Sequence, residues 1–598
     1  MRTIFPWHKQ GRHDGERSKK TTMNYATNRT ATTTASLPGW RASALFMVLA
    51  AGLLGLLGRG VYLQGIHNDF LQEKGNARYS RVIEVSAHRG VIRDRNGEVL
   101  AVSTPVQSVW ASPADVEANN QQIKNLATVL KMSESEVRHQ LFDNTRDFVY
   151  LKRQISPDQA GQVTRLNVTG VSLQPEYRRY YPSGEVAAQL LGFTGQDDNG
   201  QEGLELGLQD ALGGKPGSQR VIKDRRGHIV EDVASLRAPK PGSDVVLSVD
   251  SKIQYLAYRE LQAAVEKNHA KAGAVVVLDA RTGEVLALAN YPSYNPNNRV
   301  KVSPQAMRNR AVADLFEPGS TLKPFTVASA IENGKVRPDT LINTEHGVYT
   351  VGGRQIHDSH AEAFLSVSGV IQKSSNVGAA KMALMLAPQV MWQSLSDSGF
   401  GAHTGSNFPG EATGKLREAK TWRPIEQATM AYGHGISVNL LQLARAYTVF
   451  ANNGELKPIS LMKLDAPAVG KKILSDKTAL ALRDMLETVV LPGGTAPLAQ
   501  VAGYRVAGKT GTAHKLSGAH YVDKYVASFV GLAPASAPRV IVAVMIDEPD
   551  NGQYYGGLVA APVFSQVTGE TLHLLNVPND APLNNVIAPP ADVIREEV

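Results

Sequence analysis

Seventeen consecutive residues without a charge, Ala42 to Gly58, constrain this chain more than any other stretch. The run is rich in Leu, Ala and Gly, and its length is at the short end for a bilayer span. Arg59 can snorkel to the interface, and Val61 to Leu63 extend the apolar face. Eight basic residues precede it (Arg2, Lys9, Arg12, Arg17, Lys19, Lys20, Arg29 and Arg41) against Asp14 and Glu16. A core helix does not fit behind such an arm. A cleaved signal peptide does not fit either, because its basic region is shorter and no convincing Ala-x-Ala site follows closely on Gly58. The stretch reads as an uncleaved signal anchor over residues 42–63, with residues 1–41 a disordered cytoplasmic tail and everything after Leu63 outside the inner membrane.

The net charge of +8 would suggest nucleic acid if it were spread over a surface. The tail alone carries +6 of it, so the rest of the chain is nearly neutral and no nucleic-acid groove is expected. At 598 residues the chain is too long for one core, and two or three domains are expected. It has no cysteine, which excludes a disulfide framework and thiolate metal sites.

Beyond the anchor, chemistry concentrates around Glu317-Pro318-Gly319-Ser320-Thr321-Leu322-Lys323. Pro and Gly mark a turn, and the apolar residues from Thr321 to Ile331 read as a helix. Ser320 therefore sits where a turn meets a helix N-terminus. Lys323, three residues on, shares its helical face, which suits a serine needing an adjacent base. Ser-x-x-Lys alone is a weak signal, since Ser460 and Lys463 repeat it without the turn or the helix. Ser-x-Asn is weak too: Ser374 and Asn376 match, but so do Ser293 with Asn295 and Ser437 with Asn439. Lys509-Thr510-Gly511-Thr512 holds the chain's one Lys-Thr-Gly, in a strand-like run from Val506 to Ala513. The order is the stronger signal: nucleophile, then Ser-x-Asn about 54 residues on, then Lys-Thr-Gly about 133 further.

Taken in order, Arg89 to Ala101 reads as a β-hairpin about Asn96-Gly97 with a type I′ turn. Residues 120–142 have helical spacing, and Arg225 to Ser243, with Pro239 and Pro241, reads as a linker. Val245–Val249 reads as a strand, Ile253–Val265 as an amphipathic helix, and Gly273–Leu278 and Glu284–Ala289 as a second hairpin. Val526–Leu532 and Val540–Ile546 add strands to that of Lys509, giving an antiparallel sheet flanked by helices, an α+β fold. The Pro- and Asn-rich residues 576–598 read as a loose tail. His357, Asp358, His360 and Glu362 cluster but read as a loop, because no helix holds them in ligand geometry. Gly433-His434-Gly435 reads as a structural turn.

The ordered triple resembles that of a penicillin-binding transpeptidase domain. Arg89 to Ala101, Arg178 to Gly184 and Gln201 to Glu205 resemble the boxes of the non-catalytic pedestal in class B penicillin-binding proteins, and Ala101 to Ala111 resembles the division-type group. The likeness covers roughly residues 85–565. It implies a dimerisation-type pedestal over 64–235 and a transpeptidase domain over 244–575. It implies that Ser320 attacks the D-Ala-D-Ala end of a peptidoglycan stem peptide, with Lys323 as base and Ser374 as proton relay. Asn376, Lys509, Thr510, Gly511 and Thr512 would bind substrate, with no metal or cofactor. β-Lactams would acylate Ser320, and the partners would be a polytopic glycan polymerase and other division proteins. An elongation-type enzyme, or a scaffold with secondary catalysis, remains an alternative. A β-lactamase is disfavoured, since no Glu-x-x-Leu-Asn lies between Asn376 and Lys509.

Overall fold

The computed structural model describes residues 39–66, 80–143, 145–146, 148–223, 229–518 and 520–588. They belong to two compact units, one up to Tyr79 and one from Ser80 to Val598. In the first unit a helix spans Gly39–Val61 and passes into a π-helical turn, Tyr62–Ile66. It is long and apolar enough to cross a membrane, and Leu45, Phe46, Leu49, Leu53 and Leu56 all project outward. Residues 39–41, read as part of the tail, are helical. The rest of the tail, 1–38, lies outside the described residues.

In the second unit, β1 (Ser80–Val85), β6 (Gly217–Lys223) and β7 (Ile229–Arg237) form one antiparallel sheet in the order β1-β6-β7. This corrects the linker reading: Ile229–Arg237 pairs with β6, and Lys240 beyond it bridges to Lys215. In β7 the β-branched residues Ile229, Val230 and Val233 favour a strand, ahead of the Pro and Gly that follow. Residues 225–228 lie outside the described residues.

A second sheet is built on β3 (Val99–Ala111), which pairs with β2 (Ile92–Arg93), β4 (Val149–Ile155) and β5 (Val171–Tyr180). The β2–β3 hairpin forms, but its turn is not type I′. Asn96 is not left-handed; Gly97 alone has φ +93°. The Asp94 carboxylate accepts the N–H groups of Asn96 and Glu98, both at 2.8 Å, and so sets a wider loop. The expected helix over 120–142 is two, Asn120–Leu130 and Glu134–Leu141. Lys131 turns left-handed at φ 53°, and the Ser133 side chain caps the second. Ile123, Leu126, Leu130, Val137 and Leu141 are all buried in a small separate core.

The three pedestal-like boxes meet in that half of the unit through buried charge. The Glu205 carboxylate accepts from Arg89 Nε at 2.7 Å and from Arg179 Nε at 2.6 Å. Arg89 also donates to Gln209 Oε1 at 2.7 Å and to the Glu205 carbonyl at 2.8 Å. Paired and hydrogen-bonded in this way, the charges are tolerated out of water.

β8 (Val245–Val246) runs parallel to β2. The strand expected to reach Val249 stops at Val246; Leu247 still donates its N–H to the Arg93 carbonyl at 2.8 Å and also forms an isolated bridge to Met462. The helix Ser251–Lys267 follows, capped by Asp250. The main sheet has the order β10-β9-β19-β18-β17, antiparallel throughout: β9 (Ala272–Asp279), β10 (Val285–Tyr291), β17 (Ala507–Ser517), β18 (His520–Ala533) and β19 (Val540–Asp547). Every residue of β9 and β19 is buried, so helices cover both faces, and uninterrupted runs such as Val540–Ile546 fit that setting. Between β10 and β17 lie three short ladders, β11 (Leu341–Asn343) with β14 (Phe364–Ser366), β12 (Val348–Val351) with β13 (Arg354–His357), and β15 (Glu455–Leu456) with β16 (Lys471–Lys472).

The segment 576–588 is docked, not loose. Tyr504 donates its hydroxyl to the Val577 carbonyl at 2.7 Å, Asn585 Nδ2 donates to the Tyr504 carbonyl at 2.9 Å, and the Ile587 N–H donates to Gln500 Oε1 at 2.9 Å. Its Asn and Pro content reflects hydrogen bonding to a neighbouring loop rather than disorder. Residues 589–598 lie outside the described residues.

Candidate active site

Ser320 lies in a short 3₁₀ turn, Gly319–Leu322, that runs into the helix Lys323–Glu332. The Pro318 carbonyl accepts both the N–H of Thr321, at 3.3 Å, and its hydroxyl, at 2.7 Å, which closes the turn. Lys323 is fully buried and donates from Nζ to Ser374 twice, to the carbonyl oxygen and to Oγ, the latter at 3.0 Å. Ser374 is itself left-handed, φ 61°, between the helices Val367–Lys373 and Asn376–Leu384. That conformation turns its carbonyl and its hydroxyl toward the same amine.

Asp358 fixes this junction. Its carboxylate accepts from the N–H groups of Asn376 and Val377, at 2.6 and 2.9 Å, and from the Ser375 hydroxyl at 2.5 Å. Asn376 Nδ2 donates to the His357 carbonyl at 3.1 Å. The His357–Glu362 cluster therefore serves the Ser-x-Asn helix: Asp358 is its N-terminal anion. Replacing Asp358 with Ala is expected to cost about 1–2 kcal/mol as a lost cap and to slow acylation of the cleft by β-lactams. Urea unfolding and a time course of penicillin labelling check both parts.

The third wall is β17, an edge strand of the main sheet. Lys509 Nζ donates to Thr510 Oγ1 at 2.9 Å, and that hydroxyl lies 2.8 Å from Thr495 Oγ1. Thr512 Oγ1 accepts the N–H of Gly556 at 3.0 Å. Gly511 is the point of contact with the serine turn. A Cβ there would lie 2.8 Å from the Pro318 carbonyl oxygen and 2.6 Å from Ser528 Oγ, so only glycine lets strand and turn meet. Gly433 presses on the turn from another side, where a Cβ would come within 2.1 Å of the Gly319 carbonyl oxygen. The structure thus brings the Ser320 turn, Lys323, Ser374 and the Lys509–Thr512 stretch together beside one cleft, while the Asn376 amide bonds to the His357 carbonyl.

Glu317 is the residue that sequence reasoning passed over. Its buried carboxylate accepts the Gly435 N–H at 2.7 Å and the Tyr521 hydroxyl at 3.0 Å. Burial pushes its carboxyl above the ordinary value, against those two hydrogen bonds. His434 Nδ1 lies 3.6 Å from Glu317 Oε2. Burial lowers the imidazole to about 4, so His434 is neutral at pH 7 and this approach is not an ion pair. Burial and the Glu317 carboxylate push the Tyr521 phenol up, which keeps it a donor.

The competing motifs are elsewhere. Ser460 Oγ donates to the Met462 carbonyl and Lys463 Nζ to the Arg95 carbonyl. Ser293 Oγ donates to the Glu185 carbonyl, and Asn439 caps the helix Leu440–Ala446.

A helix-covered antiparallel sheet whose edge strand carries Lys-Thr-Gly beside a Ser-x-x-Lys turn defines a penicillin-binding transpeptidase domain. The family model for the penicillin-binding protein transpeptidase domain matches residues 273–569, and that for the penicillin-binding protein dimerisation domain matches 84–247. The chain is 43% identical over 548 residues to the probable peptidoglycan D,D-transpeptidase PenA of Neisseria meningitidis serogroup A, covering 91% of this chain and 94% of that one. It is 41% identical to the peptidoglycan D,D-transpeptidase FtsI of Escherichia coli K12, covering 92% and 94%. Among solved structures, the apo transpeptidase domain of Burkholderia pseudomallei penicillin-binding protein 3 is similar with a TM-score of 0.53 and 51% identity, over 56% of this chain and 98% of that one. The chain belongs to the class B penicillin-binding proteins of the FtsI type.

Proposed function

We propose that the chain is a membrane-anchored peptidoglycan D,D-transpeptidase of cell division that works through an acyl-enzyme on Ser320. The observation that carries this is the buried Lys323 amine bonded to Ser374 at the mouth of a helix whose preceding turn holds Ser320. The donor is a stem peptide ending in D-Ala-D-Ala. Neutral Lys323 takes the hydroxyl proton as Ser320 Oγ attacks the carbonyl of the penultimate D-Ala. The oxyanion lies between the N–H groups of Ser320 and Thr512, a contribution of about 3 kcal/mol per donor. Ser374 passes a proton to the departing amine of the terminal D-Ala, and its bond to Lys323 supplies the path. Lys509, Thr510 and Thr512 hold the donor carboxylate, Asn376 holds the donor amide, and Gly511 lets the strand lie close. An amine on a second stem peptide then attacks the acyl-enzyme, gives up a proton, and restores Ser320 as the cross-link forms. A β-lactam acylates Ser320 in the same way but keeps its leaving amine tethered.

The helix Gly39–Val61 serves as a single-pass anchor in the inner membrane, with the basic N-terminus cytoplasmic and the catalytic unit periplasmic. An enzyme that makes only cross-links needs glycan strands from elsewhere, so the partner is a polytopic glycan polymerase of the division machinery. Depletion of the protein tests the reading. Filaments with fewer septal cross-links are expected; spherical cells would point to elongation, and normal septa would defeat the division role.

A further inference from the structure

We propose that Tyr521, tethered by Glu317, forms the subsite for the donor residue that precedes D-Ala-D-Ala. This rests on the assignment of Ser320 as nucleophile. With the donor carboxylate at Lys509 and Thr510 and its reacting carbonyl at Thr512, the donor runs antiparallel to β17. Its N-terminal part then continues past Ala513 and His514 toward the rung where Leu516 pairs with Tyr521. That rung is apolar yet open to solvent: Leu516 is 52% exposed and Tyr521 is 50% exposed.

Tyr521 does not extend freely from it. The ring leans back toward the nucleophile turn, and its hydroxyl donates to Glu317 Oε2 at 3.0 Å. Glu317 stands three residues before Ser320, so the ring lies across the path an extended donor takes as it leaves the reacting carbonyl. His434 and His514 lie beside it, with ring centroids 5.9 and 6.4 Å away. A ring fixed at one end and open on a face suits the aliphatic stem of the donor's third residue, counted from its C-terminus. The Glu317 carboxylate is already occupied by Gly435 and Tyr521, so its role is to position Tyr521 rather than to touch the donor.

The test uses the full-length protein in detergent and two thioester donors. One is N-acetyl-D-alanyl-thioglycolate; the other carries Nα,Nε-diacetyl-L-lysine ahead of the D-alanine. The readout is the ratio of kcat/KM for the long donor to that for the short one. Tyr521→Ala is expected to lower this ratio about tenfold by removing the ring, and Tyr521→Phe about threefold by releasing it from Glu317. A ratio unchanged in Tyr521→Ala, including a parallel fall for both donors, overturns the subsite. Tyr521→Phe behaving as wild type overturns the tether. Penicillin labelling of Ser320 in the same preparations separates the two levels: absent label in wild type defeats the nucleophile assignment, whereas label with an unchanged ratio defeats only the subsite.

Discussion

Ser320→Ala is expected to abolish covalent labelling by penicillin, with acylation at least about 10⁴-fold slower and the fold intact. Peptide mapping of the labelled wild type should find the adduct on the peptide holding Ser320. The expectation follows from the turn itself. Thr321 is spent on the Pro318 carbonyl, while Ser320 stands one residue away at the entrance to the Lys323 helix. Lys323→Met, which keeps an unbranched side chain one atom shorter and removes the amine, should slow acylation by about 10²- to 10⁴-fold, the range for loss of a general base. Label on Ser460 instead would overturn the site. Nothing in the structure favours that outcome, because Ser460 Oγ bonds within its own loop.

The second large effect concerns stability. Glu205→Ala would leave Arg89 and Arg179 buried without their shared carboxylate, and breaking a buried pair this way costs about 3–5 kcal/mol. Since folded domains are stable by about 5–15 kcal/mol, the pedestal half should unfold at markedly lower urea. Penicillin should still label Ser320 in the folded fraction, because no residue of this network lines the cleft. A variant as stable as wild type would mean that water reaches the arginines. Burial also raises the Asp198 carboxyl in the same network, where the Ser103 hydroxyl and the two arginines oppose the effect.

These two effects divide what could be read along the chain from what could not. The long apolar helix was legible because Ala42–Gly58 is one uncharged run, and Gly39–Val61 is long and apolar enough to cross a bilayer. The sheet was legible where it is buried on both faces, since β9 and β19 show it as unbroken apolar runs. The turn-to-helix junction around Ser320 and Lys323 was legible because Pro-Gly followed by an apolar run sets it before any tertiary contact exists. Local signals were weaker guides wherever a distant residue intervened. The Asn96-Gly97 dipeptide does form a hairpin, but the Asp94 carboxylate chose its turn. The Pro- and Asn-rich segment beyond 575 had the composition of a tail, yet Gln500 and Tyr504 hold it in place.

Tertiary structure alone decided three things at the cleft. Asp358, one of a loop cluster with the look of metal ligands, became the anion at the N-terminus of the Ser-x-Asn helix. Gly511 and Gly433 became packing contacts because backbone from elsewhere occupies the space a Cβ would need. Glu317 became the tether of Tyr521, 204 residues away in the chain. Sequence fixes what is determined within a few residues, namely helical spacing, apolar runs and turns. Which carboxylate caps a helix, or which glycine admits a neighbouring strand, depends on the chain's return to the same place, and only the folded molecule sets that.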